Sequence, residues 1–353
     1  YRPLKGLLGN GGRPDPLLEV GEGTTCTQQM DLDATDAACR WLDDRARSDA
    51  SEPFLMTVGY FSPHCPYIAE RDYYRRYAGQ VGPRGAGDEE LDSLHPIHRQ
   101  YRERIEMDRI PAGNLEKAAA AYYGLVDFLD DQIGLLLDRL QRLGLAEETV
   151  VIYYSDHGEM LGEHGRWHKS CFFEGSSGVP LIVSGPGIDR GRVDRPVSLV
   201  DLLPTVADLL GVDVPFPCDG RSLLGSMEPD RPVFAEHHGA GSNRMIRRGR
   251  YKLNWYARYE QCELFDLVAD PGELVNLAGR PEHASVEAEL KSELFADGWH
   301  GELAAEHRRF LDDIGYDTLH RAGRTAQRFV ERGEIADIPG YDPAVSDYVN
   351  RLD

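Results

Sequence analysis

The sequence predicts an α/β fold: a central sheet flanked by helices, followed by a smaller antiparallel sheet and a helix. Three observations carry this prediction. Residues 53–61 (PFLMTVGYF) and 150–154 (VVIYY) are apolar runs without helical period that end abruptly in polar residues, as buried strands do. A long 3.6-residue period over 115–143 feeds directly into the second run, giving a βα unit. From about residue 232 the texture changes to short, closely spaced strands separated by turn residues.

Taken in order, residues 1–30 are rich in Gly and Pro and read as surface loop. Asp33 or Thr35 caps a predicted helix running to Arg47, with Ala37, Ala38, Trp41 and Leu42 on its buried face. The strand at 53–61 then delivers Ser62 to Tyr67, where Pro63 and Pro66 forbid helix and hold His64 in a stiff turn. Residues 79–114 are charged and punctuated by Gly and Pro, and include His95 and His98. They read as an excursion over the mouth of a site or as a plain solvated insertion. In the helix at 115–143, Tyr122, Val126, Leu129, Ile133 and Leu136 mark the apolar stripe; Asp127, Asp130 and Asp131 are more simply its polar face than ligands. Residues 201–210 form a helix with Pro204 in its first turn, stopped by Gly211. Strands follow at 233–235, 244–247, 251–255 and 263–267, with Arg248-Gly249 as a hairpin turn, and a helix at 281–295. The basic cluster of Arg244, Arg247, Arg248, Arg250 and Lys252 reads as a solvated hairpin.

Composition narrows the function classes. With 353 residues, 41% hydrophobic and 28% charged, the chain is long enough for a large core plus a second unit, and no apolar run approaches a membrane span. A net charge of −21, from 39 basic and 60 acidic residues, argues against a general nucleic-acid or anionic-membrane surface. An anionic substrate therefore needs a local positive site. Six cysteines without CxxC spacing predict reduced thiols. With Tyr1 as the first residue the true N-terminus is not visible, so the compartment stays open, with the cytoplasm the simpler reading.

The chemistry gathers after the strand at 150–154. Ligand crevices in open α/β sheets lie beyond the carboxyl ends of the strands, and Ser155, Asp156, His157 and Gly158 follow at once. A carboxylate and an adjacent imidazole can share one divalent ion if Gly158 lets the chain bend. Eleven residues after His157, a polar loop delivers His168 and Lys169 before the chain returns to strand at 179–183.

The stretch SDHGEMLGEHGRWHKSCFFEGSSGVPLIVSGPG resembles the second signature region of the formylglycine-dependent sulfatases of the alkaline phosphatase superfamily. GYFSPHCPY resembles their Pro-His-x-Pro element, as in choline- and iduronate-sulfatase-like members, and VDLLPTVADLLG, MIRRGRYKLNWY and ELFDLVADPGELVNLA resemble later segments. The resemblance implies a mixed, mostly parallel central sheet in residues 1–230 as the later part of the catalytic domain. It also implies an antiparallel subdomain at 231–300 and a tail at 301–353 that packs on a neighbouring protomer, giving a homo-oligomer. It implies Asp156 and His157 as metal ligands, Lys169 as a sulfate contact and His64 as a contact near the leaving oxygen. His168 is a further substrate-binding candidate, Glu163 and His164 order the loop, and His237 and His238 read as structural. The implied partner is a small sulfated substrate and the implied cofactor a divalent ion. Ca²⁺ is preferred for an oxygen-rich site, with Mn²⁺ and Mg²⁺ also allowed.

One part of the family pattern is missing. No Cys/Ser-x-Pro-x-Arg occurs; Cys65-Pro66 and Cys218-Asp219-Gly220-Arg221 are the nearest approaches. The formylglycine nucleophile is therefore expected on an N-terminal segment outside this sequence. The rival readings are a phosphonate or phosphate ester hydrolase of the same superfamily and a truncated, non-catalytic sulfatase-like protein.

Overall fold

The computed structural model describes residues 15–48, 52–225, 228, 230–237 and 243–296. They fall into two compact units divided after Val193, with Ser170–Phe172 grouped in the second. The first unit contains, in order, α1 (Asp15–Leu18), β1 (Gly21–Glu22), α2 (Cys26–Arg47), β2 (Ile68–Ala69), α3 (Arg71–Tyr77), α4 (Asp88–Ser93), α5 (Pro96–Arg104), α6 (Ala112–Arg142), β3 (Val151–Tyr154), α7 (Glu174–Ser177) and β4 (Leu181–Ser184).

Helix α2 begins well before the expected cap. Thr25 is its N-cap, and the Gln28 side chain returns to the Thr25 N–H at 2.8 Å, a capping box that outcompetes Asp33 and Thr35 as a start. Helix α6 is the long helix expected from the period. Its Ala118, Ala119, Ala121 and Leu125 pack into a cluster with Leu17, Tyr67 and Trp167. Small residues let neighbours approach: a Cβ on Gly124 would lie 3.1 Å from the Tyr73 carbonyl carbon and 3.2 Å from the Ala69 Cβ. On the polar face Asp127 pairs with Arg76 at 2.7 Å and Asp131 accepts from the Tyr73 hydroxyl at 2.7 Å.

Two expectations for this unit are corrected. Residues 53–61 are not a strand, because no described segment offers them a ladder; they alternate between half-buried and exposed, with Leu55 66% exposed. The strand expected to be buried at 150–154 is β3, but it is only half-buried and Tyr154 is 44% exposed. β3 has a single ladder neighbour among the described residues, β4, which it pairs antiparallel from Val151↔Ser184 to Tyr154↔Leu181, whereas β1 and β2 pair parallel.

Within 79–114 the chain is without regular structure to residue 87 and then forms α4 and α5, which help fasten the loop at 162–167. Glu90 Oε1 lies 2.9 Å from His164 Nδ1, and Arg84 pairs with Glu163. Arg102 donates to the Gly165 carbonyl and the Tyr101 hydroxyl to that of Trp167. The buried Arg166 guanidinium stands 3.7 Å above the Tyr101 ring. Glu163 and His164 thus order the loop, as their types suggested.

The second unit carries α8 (Leu202–Leu210), β5 (Val233–His237), β6 (Asn243–Arg248), β7 (Tyr251–Tyr256), β8 (Gln261–Asp266) and α9 (Ala284–Leu294). The strands form one antiparallel sheet in sequence order, and Leu290 and Leu294 of α9 pack on Ile246, Leu253 and Leu264. Gly211 ends α8 at φ +65°, as expected, and Gly249 takes φ +56° in the hairpin. The solvated-hairpin reading fails for Lys252: it is fully buried, 2.5 Å from Glu273 Oε1, and donates to the Phe172 carbonyl at 2.6 Å. Arg250 and Arg248 are paired with Asp266 and Glu293. Asp201 is buried under a bidentate Arg231 at 2.8 and 3.0 Å and takes the Ser198 and Arg221 N–H groups. None of the six cysteines is in a disulfide, and no helix among the described residues is long and apolar enough to cross a membrane. His238, the N-terminal loop through residue 14 and the tail at 301–353 lie outside the described residues.

Candidate active site

The first wall of the site is the turn at 62–67. Asp31, buried on α2, accepts the Phe61 N–H at 2.6 Å and the Ser62 N–H at 3.0 Å, anchoring the chain as it enters the turn. The Ser62–Pro63 and Cys65–Pro66 peptides are cis. His64 Nδ1 lies 2.8 Å from the Cys65 carbonyl, which can only accept, so Nδ1 carries the proton and Nε2 is a bare lone pair. That lone pair accepts from the Lys169 ammonium at 2.6 Å. Burial holds His64 below its ordinary value, with the positive charge of Lys169 adding to the effect, and burial likewise lowers Lys169.

The second wall is the exit from β3. Ser155 donates to the His157 carbonyl at 2.8 Å, and Asp156 Oδ1 accepts the His157 N–H at 3.0 Å. His157 Nδ1 donates to the Gly158 carbonyl at 2.9 Å, which again leaves Nε2 bare, 3.6 Å from Asp156 Oδ2. The two rings of His64 and His157 meet edge-on at 5.9 Å. Gly158 is needed for crowding rather than for an unusual φ. A Cβ there would fall 2.2 Å from the Gly175 carbonyl oxygen.

The donor chemistry of Asp156 and His157 suits a divalent cation: one exposed carboxylate and one imidazole with its lone pair free, its other nitrogen fixed by a carbonyl. Two donors alone would make only part of such a site. No group of three or more His, Cys, Asp or Glu that could hold a metal occurs among the described residues.

Beside them lies a buried polar network. Glu159 Oε1 accepts the His168 N–H at 2.6 Å and the Leu161 N–H at 3.1 Å, while Oε2 accepts the Tyr67 hydroxyl at 2.8 Å. Tyr67 oxygen is also 3.0 Å from His168 Nδ1, and the planes of the two rings are nearly parallel. Burial pushes His168 down to about 3, helped by the charges of His64 and Lys169, and it raises Glu159 and Tyr67. His168 and Ser170 both sit at positive φ, +64° and +69°, on either side of Lys169.

His64, Asp156, His157, His168 and Lys169 therefore converge within one unit. Asp31, Tyr67 and Glu159 were not singled out for roles by sequence reasoning. Tyr67 had a local signal, its place in PHCPY; Asp31 had none, since it lies before the expected helix start and belongs to no motif.

Residues 10–212 match the sulfatase family model, and residues 162–297 match the C-terminal model of N-sulphoglucosamine sulphohydrolase. Choline-sulfatase of Rhizobium meliloti is 36% identical over 68% of this chain and 48% of its own length. Arylsulfatase K of Bos taurus is 30% identical over 82% of the chain and 60% of its own length. The chain thus spans about half to three-fifths of these curated relatives. Among solved structures, the phosphonate monoester hydrolase of Agrobacterium radiobacter superposes with a TM-score of 0.64 at 27% identity, covering 73% of this chain and 59% of that one. A putative sulfatase from Bacteroides thetaiotaomicron shares the fold at a TM-score of 0.61, over 87% of this chain and 67% of its own. The α/β class with a small C-terminal antiparallel sheet is the fold these structures share. The first family match takes in the turn at His64, the Asp156-His157 pair and the loop of Lys169, and the chain belongs to the sulfatase family.

Proposed function

We propose that the protein hydrolyses a small sulfate ester by S–O cleavage, with a formylglycine nucleophile on polypeptide outside this sequence. The observation that carries the reading is the meeting of Lys169 Nζ and His64 Nε2 at 2.6 Å beside the Asp156-His157 pair. An ammonium that can turn from an imidazole to an anion is a ready countercharge for sulfate oxygens, and such contacts are worth roughly 10²–10³ in rate. Asp156 Oδ2 and His157 Nε2 would hold a divalent cation, with Ca²⁺ preferred over Mn²⁺ and Mg²⁺; when bound it supplies Lewis acidity that stabilises negative charge on oxygen. His64 steadies the ester. Any proton it hands to the leaving alcohol passes at Nε2, because Nδ1 is committed to the Cys65 carbonyl.

The similarity to a phosphonate monoester hydrolase supports the rival reading, ester hydrolysis at phosphorus. The greater identity to choline-sulfatase supports sulfate. The test is to map the full-length protein for a Cys or Ser converted to formylglycine and to compare turnover of an aryl sulfate with that of an aryl phosphonate. The modified residue with faster sulfate turnover is the expected result. Faster phosphonate turnover would replace this function with the rival, and an unmodified chain without turnover would leave a non-catalytic protein.

A further inference from the structure

His168 looks at first like another contact for sulfate, since it precedes Lys169. The hydrogen-bond accounting excludes that. Glu159 takes three donors, two backbone N–H groups on Oε1 and the Tyr67 hydroxyl on Oε2, the pattern that favours a carboxylate. Tyr67 has one proton and gives it to Glu159. Its oxygen can then only accept from His168 Nδ1, 3.0 Å away, so the His168 proton is on Nδ1. The Nε2 edge faces away from Tyr67 and carries a bare lone pair. It is buried and has no partner among the described residues. A lone pair repels a sulfate oxygen, which is itself an acceptor, whereas a buried acceptor without a donor costs about 1–3 kcal/mol.

We propose that His168 is a specificity residue that accepts a hydrogen bond from a hydroxyl or N–H on the alcohol half of the substrate, and that Tyr67 and Glu159 are positioning residues that fix its tautomer. The inference rests on the sulfate-ester reading and narrows it to esters of polyhydroxylated or amino alcohols. An alcohol with no donor besides the oxygen that is esterified, such as choline, gives Nε2 nothing to accept. The ring is held where His64 and Lys169 act on it electrostatically, and its backbone N–H, bound to Glu159, ties it to the same carboxylate that orients Tyr67.

Two measurements on the full-length protein test this separately. In ¹⁵N-histidine-labelled protein, long-range ring correlations report the tautomer, with His168 assigned by its loss in His168→Gln. The expected spectrum has a proton on Nδ1 and none on Nε2, and Tyr67→Phe, which lacks the acceptor, gains the Nε2–H form. A proton on Nε2 in the wild type overturns the proposal, and so does an unchanged His168 spectrum in Tyr67→Phe. For the substrate, kcat/KM is compared for 2-hydroxycyclohexyl sulfate and cyclohexyl sulfate, and the ratio in wild type is divided by the ratio in His168→Ala so that intrinsic reactivity cancels. The expected quotient is about tenfold or more in favour of the hydroxylated ester. A quotient of one overturns the specificity role even if both esters turn over well. Turnover of neither ester overturns the substrate half of this inference; the sulfate-ester reading is judged separately by aryl sulfate turnover, and the tautomer by its spectrum alone.

Discussion

His64, His157 and His168 each spend Nδ1 on a fixed oxygen, the carbonyls of Cys65 and Gly158 and the hydroxyl of Tyr67, so all three turn the same ring nitrogen outward. Replacing His157 with Ala removes one lone pair from the cation pair and should weaken calcium binding by at least tenfold in titration calorimetry, in the range seen when metal-site partners are lost (roughly 10–100-fold). Lys169, lowered by burial from 10.5, must be charged to meet sulfate. The alkaline limb of kcat/KM should therefore fall below the ordinary lysine range, and Lys169→Ala should abolish that limb along with most of the rate. His168 is held down to about 3 from an ordinary 6.5, so between those values the unfolded chain binds the proton and the folded one does not. Stability is full above 6.5 and is lost as pH falls toward 3; urea unfolding at pH 7 and pH 5 should show the loss, and His168→Gln should reduce it. At this scale the sequence was informative about residue types: Asp156, His157, His64 and Lys169 stand out because polar, metal-capable groups end apolar runs. Their tautomers were invisible, because the Cys65 and Gly158 carbonyls and the Tyr67 hydroxyl become partners only once the chain has turned.

Helix α2 shows what an element contributes at a distance. Its Asp31 gathers the Phe61 and Ser62 N–H groups, so Asp31→Ala strands two donors at about 1–3 kcal/mol each and should loosen the His64 turn, seen as lower stability together with lower kcat. Gly158→Ala drives a Cβ into the Gly175 carbonyl and should cost about 1–3 kcal/mol in chemical unfolding, with metal affinity reduced because the two proposed ligands precede it. The long helix α6 was legible to within a few residues because its period is sustained over many turns. The start of α2 was not, although Thr25 and Gln28 spell a capping box: the run from Cys26 to Asp33 has too few apolar residues to display a period. Residues 53–61 have the text of a strand and the alternating exposure of one, yet a strand is a pairing, and pairing is decided by neighbours rather than by the segment. In 79–114, charge and glycine suggested an excursion or a solvated insertion and showed no helical period, whereas α4 and α5 are ordered by contacts with 162–167.

At the scale of the molecule, the division after Val193 had no signal in the sequence, because periodicity reports faces of elements, not where contacts thin out. The connecting stretch at 189–195 is exposed throughout and contains Arg190, Arg192 and Arg195. Limited trypsin treatment should cut there before it cuts α6 or the β5–β8 sheet, with the fragments read by intact mass. The small C-terminal sheet was legible strand by strand, because each strand is short, apolar on one face and bounded by turn residues, but the burial of Lys252 depended on Glu273, twenty-one positions away in sequence, and could not be read locally. The fastening of 162–167 by Glu90, Arg84, Arg102 and Tyr101 has a consequence for exchanging segments between proteins of this fold. Two stretches braced this way behave as one structural part. Exchange of 79–111 alone for the corresponding stretch of a relative would strip the Lys169 loop of its braces, whereas exchange together with 159–173 would carry the braces along. A chimera built from the matched pair should therefore unfold at higher urea than one built from either segment alone.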